Sequence, residues 1–461
     1  MLKVYSPFTL EQIGEYPLIA MESIDGIISE AYYLFENRSE WLKPHERKAI
    51  LQRCAKIMES RIDELTKIAA NEGGKPYSDS KVEVLRAING VEIAAESIGE
   101  LKGGEIPMGL TPASEGRMAF TQREPIGVVA SISAFNHPLN LIVHQVITAV
   151  AAGCPVIVKP APTTPMSCEA LVNILAEAGL PKGWCQMVIC ENDVAERLIT
   201  DARINYFSFI GSAKVGWYLR SKLSPGTRCA LEHGGAAPVI VEPDANFEEM
   251  IPSLLKGGFY HAGQVCVSVQ RVFAHESICA DVANQIADGA KQLKVGDPLS
   301  PETEVGPLIL PKEVDRVEEW VNEAVTKGGK ILTGGKRITD STYEPTVILN
   351  PSDDALVSTK EVFGPVVCIY SYSDIEQAFD RANGLEVSFQ AAVFTKNIDT
   401  ALRAVKRLNG TAVMVNDHTA FRVDWMPFGG AKASGLGLGG IHHSMEEMTN
   451  EKMMVIKSPV L

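Results

Sequence analysis

The sequence predicts an α/β fold, with two doubly wound parallel-sheet lobes and a small β element attached. Three observations predict it. The chain has 461 residues, more than one hydrophobic core usually organises, so two or three lobes are expected. From residue 126, short apolar runs alternate with helical patterns at a spacing of roughly 25 to 30 residues, the signature of βαβ crossovers and a sheet covered on both faces. The alternation restarts after "PVIVEPDA" (238–245) and runs to about 427.

The elements follow in order. Residues 44–71 read as a helix: Pro44 suits the first turn, apolar residues recur at Ile50, Cys54, Ile57, Leu65 and Ile68, and Gly73-Gly74 can end it. A second helix is expected near 79–98. "IGVVASI" (126–132) is a buried-strand run, followed by a helix over 138–152 and the strand "PVIVK" (155–159). A helix near 165–178, strands near 185–189 and 205–210, a helix over 213–223 and the strand "CALE" (229–232) complete the first series. "EGRMAFTQREP" (115–125) and the tail "MTNEKMMVIKSPV" are strand-like and lie outside the alternation. Such arms often pair with a neighbouring subunit, so at least a homodimer is expected.

Composition excludes several classes. The net charge of −14 argues against a nucleic-acid partner, which needs a basic face. The N-terminus lacks a basic start followed by an apolar run, so no signal peptide is expected. The greasiest stretch, 139–158, carries Asn140, His144, Gln145, Gly153 and Pro155, too polar and broken for a membrane span. Nine cysteines without a C-x-x-C pair fit reduced thiols in a cytoplasmic protein. Nine histidines form no H-E-x-x-H, and no metal site is expected.

Two segments suggest a nucleotide site, and a third is set aside. "GLGLGG" (435–440) matches G-x-G-x-x-G but is not followed by the βαβ unit that motif requires. "FIGSAKVG" ends a strand at Gly211-Ser212 and opens a helix, whose N-terminal amides suit a pyrophosphate. Lys159 ends a buried strand, where ligands bind in open α/β sheets.

Together with "VKPAPTTP" and "FIGSAKVG", the segments "SAFNHP", "LEHGG", "FYHAGQVC", "KEVFGP" and "PFGGAKASG" resemble the aldehyde dehydrogenase superfamily in order and spacing, from about residue 40 onward. The resemblance implies a nucleotide-binding domain over 1–112 and 126–233, a catalytic domain over 234–430, and an oligomerisation element over 113–125 and 444–461. It implies NAD or NADP as cofactor, a small aldehyde as substrate, and a homodimer or homotetramer. Cys266 resembles the catalytic nucleophile, Glu232 the general base and Asn136 the side-chain oxyanion donor. Lys159 and Glu361 resemble the groups that hold the cofactor's riboses, Ser212 with Gly211 the pyrophosphate contact, and Phe363 the residue beside the nicotinamide. The chemistry requires these types. A thiolate adds to the aldehyde carbon, the oxyanion needs donors, and a carboxylate must activate water to release the acid.

The sequence also departs from the family. Pro162 replaces a glutamate common in relatives, which makes NADP tolerable beside NAD. His233 follows the base where a small residue is usual, and is expected to pack. His137 follows the oxyanion asparagine where an aromatic is common; it is a substrate-binding candidate near the tunnel, either a neutral packing ring or a hydrogen-bond partner of an anionic substrate. Arg86, on the second N-terminal helix, and Arg422, in "TAFRVDWMPFGG", resemble groups that meet anionic substrates, because a guanidinium matches carboxylate or phosphate geometry. The chain looks most like the phosphonoacetaldehyde, lactaldehyde and non-phosphorylating glyceraldehyde-phosphate branch. Phosphonoacetaldehyde is the favoured substrate, ahead of lactaldehyde, sulfolactaldehyde, succinate semialdehyde and glyceraldehyde 3-phosphate. A coenzyme-A-acylating enzyme is disfavoured by Glu232, and a non-catalytic relative by the intact Cys266, Glu232 and Asn136.

Overall fold

The computed structural model describes all 461 residues. A six-stranded sheet runs in the order Gly435–Leu436, Arg228–Glu232, Ile204–Ile210, Val128–Ile132, Val156–Lys159, Cys185–Met187. It is parallel except for Gly435–Leu436, which pairs antiparallel with Leu231 and Glu232. A seven-stranded sheet has Val269–His275 and Ala237–Val241 at its centre. Only its edge strand Lys330–Thr333 runs antiparallel. The strands are apolar on both faces because helices cover both. Val128, Val129 and Ala130, and Val239, Ile240 and Val241, are fully buried, each large side chain contributing about 1.5–3 kcal/mol by burial.

The helical forecasts hold with local differences. Pro44–Ser60 begins with Pro at its first position, and the Lys43 amide donates to Glu46. The expected 44–71 helix is broken at Arg61, and a second helix runs Ile62–Gly73 to the left-handed Gly74 (φ 70°). Apolar spacing continues across the break, so periodicity does not register it. The 138–152 helix contains a π turn over Val143–Ile147, an insertion frequent at functional sites. The hairpin of Leu2–Tyr5 and Gln12–Tyr16 and the helix Met21–Glu36 were not anticipated. The helix docks on the first sheet through Ile24, Ile28 and Ala31.

Both arms form one small antiparallel sheet. Arg117–Pro125 pairs along its whole length with Thr449–Lys457, and Glu105–Ile106 adds a short third strand. No helix is long and apolar enough to cross a membrane.

Candidate active site

The two sheets bring their loops around one cavity of about 810 Å³. Its walls come from the carboxyl ends of parallel strands, where ligands collect in open α/β sheets. Ile132 leads into Ser133–Leu141, Ile210 into Gly211-Ser212, and Glu232 is itself the last residue of its strand.

Cys266 lies in this cavity on a loop that departs from ordinary backbone. His261, Ala262 and Gly263 are all left-handed, with φ of 48°, 53° and 70°. Such a conformation costs about 1–2 kcal/mol for each residue with a Cβ. Gly263 is required there, because a Cβ would stand 2.1 Å from the Gly364 carbonyl oxygen. The thiol loop is thereby pressed against the segment that carries Glu361 and Phe363. Gln264 braces the loop: its side-chain amide donates to the Pro307 carbonyl at 3.1 Å and accepts from the Ile309 amide at 2.9 Å. Burial pushes the Cys266 thiol up to about 12, with Arg422 opposing and Glu232 and Glu361 reinforcing the rise. The other eight cysteines are also free, and none of them lines the cavity.

Asn136 is 5 % exposed and its amide donates to the Gln264 carbonyl at 3.0 Å. That bond ties Asn136 to the residue two positions before the thiol and leaves its second N–H available. The Cys266 amide has no backbone acceptor. Burial also raises Glu232, and Arg422 pulls it back. Its carboxyl group fits because residue 439 is glycine: a Cβ there would stand 2.3 Å from Glu232 Oε1.

The cofactor candidates occupy the other end of the cavity. Glu361 Oε1 is buried without a hydrogen-bond partner, and burial pushes the carboxyl to about 8. A Cβ on Gly234 would come within 1.6 Å of that oxygen. Ser212 caps the helix Ala213–Arg220 by position, yet its hydroxyl makes no capping bond. A buried unpaired carboxyl and a free helix N-terminus suit ribose hydroxyls and a pyrophosphate, so these residues fit a dinucleotide. Phe363 is held at φ 46° with its ring edge-on to Phe135. Lys159 stands outside the cavity wall, at the end of its strand, although Ala161 and Thr163 just beyond it line the wall. The glycine run 435–440 forms an edge strand and turn beside Glu232, with Gly437 and Gly440 left-handed. It is not a nucleotide loop.

Among the substrate candidates, Arg86, His137 and Arg422 all line the cavity, but they differ in what they can offer. Arg422 makes no ion pair. Its guanidinium stacks 3.5 Å from the Phe428 ring centre, and its Nε is buried and unpaired. Arg86, by contrast, donates from Nε and Nη2 to the two oxygens of Asp424, at 3.0 and 2.9 Å. Burial and the nearby Lys75 and Arg86 hold His137 well below the ordinary histidine value. It is a neutral ring that Tyr260 approaches at 3.4 Å. His233 packs as expected: its Nδ1 meets the Gly211 carbonyl at 2.9 Å and its ring lies edge-on to Phe209 and Trp217. Sequence reasoning assigned no role to Asp424 or Gln264. Asp424 stands in the same quoted loop as Arg422, but nothing in the loop announces its partners.

The chain's similarities agree with this arrangement. The aldehyde dehydrogenase family model matches residues 1–454. A 3-sulfolactaldehyde dehydrogenase of Priestia aryabhattai is 38% identical over 99% of this chain and 94% of its own. Aldehyde dehydrogenase 21 from Physcomitrella patens, solved with the reaction product succinate, superposes with a TM-score of 0.96 at 34% identity, covering 99% of this chain and 95% of that one. A glyceraldehyde-3-phosphate dehydrogenase GapN from Methanocaldococcus jannaschii, solved with NADP, gives 0.94 at 35% identity over 99% of both chains. With sequence and fold matched over essentially the whole length, the chain belongs to the aldehyde dehydrogenase family, whose members oxidise aldehydes with NAD or NADP.

Proposed function

We propose that this enzyme oxidises a small anionic aldehyde to its acid through a covalent bond to Cys266. The observation that carries the reading is the convergence of Cys266, Glu232, Asn136 and the unpaired Arg422 on one cavity. A half-buried guanidinium whose Nε is buried without a hydrogen-bond partner favours an anion in the cavity, and a substrate anion supplies one. Relatives named for sulfolactaldehyde and a neighbour solved with succinate support the same charge class. Phosphonoacetaldehyde remains within it.

Cys266 must first lose its proton, and Arg422 is the cation that favours the thiolate. The sulfur then adds to the aldehyde carbon. The oxyanion that forms is placed to accept from the Asn136 amide and the Cys266 N–H. When bound, the dinucleotide supplies the acceptor for the hydride that leaves the carbon. Glu361, Ser212 and Gly211 would hold it, with Lys159 at the adjoining strand end and Phe363 beside the nicotinamide. The resulting thioester needs water, and Glu232, kept basic by its buried setting, removes the proton as water attacks. Without the glutamate common at position 162, a 2′-phosphate meets no repulsion there, so NADP is accepted as well as NAD.

The test is reduced-nicotinamide formation across neutral, carboxylated, sulfonated and phosphonated aldehydes, each with NAD and NADP, beside Cys266→Ala. Turnover favouring the anionic aldehydes, and absent in the variant, is expected. Equal turnover of neutral aldehydes would remove the anionic reading and leave the reaction class standing.

A further inference from the structure

Two arginines line the substrate end of the cavity, yet they do not present two charges. Asp424 is 1 % exposed and accepts from four donors. Arg86 reaches both its oxygens. Asn140 Nδ2 and His144 Nε2 reach Oδ1 at 3.0 and 2.7 Å. Asn140 and His144 are one helical turn apart on the helix that carries the π turn, and Arg86 comes from Tyr77–Ser97. The Asp424 carbonyl also accepts from the Ile441 amide at 3.0 Å. His144 is neutral here, since burial holds it down to about 4. It donates a hydrogen bond but no charge. Asp424 therefore stays ionised against one cation, Arg86.

The other charged groups at this end cancel or lie apart. Lys256 pairs with Asp79 at 2.5 Å. Lys75 pairs with Glu83 in full burial. His137 and His261 are held neutral by burial. Arg316, bonded to Glu313 at 2.8 Å, and Lys312 belong to the helix Pro311–Thr326 at the Glu361 end. The one cation left there without a hydrogen-bonded carboxylate is Arg422, beside Cys266 and Glu232.

We propose that Asp424 leaves the substrate end with one unpaired cation, Arg422, in place of two. The enzyme then selects aldehydes whose far end carries one negative charge, a sulfonate or carboxylate, over those carrying two, a phosphate or fully ionised phosphonate. This rests on the anionic-aldehyde reading above. A second charge in the substrate would be desolvated without a partner, because Arg86 is already satisfied. Asp424 is a specificity-determining residue that acts through Arg86. It also explains how an arginine can line the cavity and still add no net charge.

The experiment is a charge cycle. Wild type, Asp424→Asn, Arg86→Gln and the double variant are compared by kcat/KM on propionaldehyde, succinate semialdehyde and phosphonoacetaldehyde, at a pH where the phosphonate is doubly ionised. Wild type should favour the monoanion. Asp424→Asn frees the Arg86 guanidinium, and the dianion-to-monoanion ratio should rise roughly tenfold or more, as expected for one unscreened charge at the cavity wall. Arg86→Gln leaves Asp424 facing Arg422, and the preference for anions over propionaldehyde should collapse. The double variant returns the end to one unpaired cation and should restore the wild-type order, which a merely structural Asp424 would not predict. A wild type that prefers the dianion, a folded Asp424→Asn with an unchanged ratio, or a double variant that fails to recover overturns the proposal. Should Asn at 424 prevent folding, Arg86→Gln decides: retained anion preference overturns it. A wild type indifferent to any charge removes the anionic reading itself, a distinct result.

Discussion

Replacing Arg422 with Gln removes the one unpaired cation beside the thiol and provides a direct test of how Cys266 is activated. Burial is the largest cause of the rise of the thiol to about 12, and Arg422 is the foremost influence opposing it. A unit charge at a separation on the order of 7 Å in a medium of effective dielectric about 20 is worth roughly 2 kcal/mol. One pKa unit corresponds to about 1.4 kcal/mol, so the variant thiol should titrate about one to two units higher. The sign is fixed by the chemistry: losing a cation disfavours the thiolate, so reactivity falls. The assay is alkylation of Cys266 by neutral iodoacetamide in the cofactor-free enzyme, followed by peptide mass spectrometry from pH 7 to 10. Only thiolate reacts. The wild-type rate should therefore climb close to tenfold per pH unit across the whole range without levelling, since the midpoint lies above it. Arg422→Gln should be slower at every pH by roughly ten- to thirtyfold, the same 2 kcal/mol expressed as a rate. A plateau near pH 8 would show that the thiol is far less desolvated than the cavity implies. Equal rates in the two proteins would show that Arg422 does not act on the thiol, and the activation argument would fail.

Asn136→Ala should lower kcat by about 100- to 1000-fold, the usual cost of one oxyanion donor, while the dissociation constant for NADP, measured by fluorescence, stays unchanged. Glu232→Gln should release about one equivalent of reduced nicotinamide in a burst and then stall. In the wild type, deacylation should fall as pH drops through the raised Glu232 value, because the protonated acid cannot accept water's proton; stopped-flow absorbance checks both. Glu361 is pushed up to about 8 and, in the proposed role, would hold the cofactor's hydroxyl groups as a carboxylate, so cofactor affinity should strengthen as pH rises towards 8 and level above it. Glu361→Gln should flatten that dependence in a calorimetric titration. Met453, Met454, Val455 and Ile456 are exposed on the outer strand of the small sheet, so light scattering should give at least twice the 49.9 kDa chain mass, and Met454→Lys with Ile456→Lys should shift it towards the monomer.

Which parts were legible in the sequence follows from where the information sits. Parallel strands buried on both faces leave near-continuous apolar runs, so the strands at 128–132, 156–159 and 205–210 could be read directly. The pairing of 117–125 with 449–457 could be anticipated only as two unattached arms, because antiparallel partners more than 300 residues apart share no local signal. The site divides in the same way. Cys266, Glu232 and Asn136 each stand in a short segment whose residue types announce their chemistry, and the fold brings all three to one cavity. Arg86 stands in no such segment. The sequence shows its cation and conceals its counter-ion, since Asp424 lies 338 positions away. An arginine read alone argues for an anion in the substrate, and the same arginine read with Asp424 argues for neutrality. The charge that this cavity presents is therefore a property of pairs formed across the fold. Arg86 has such a partner in Asp424, and Arg422 has none.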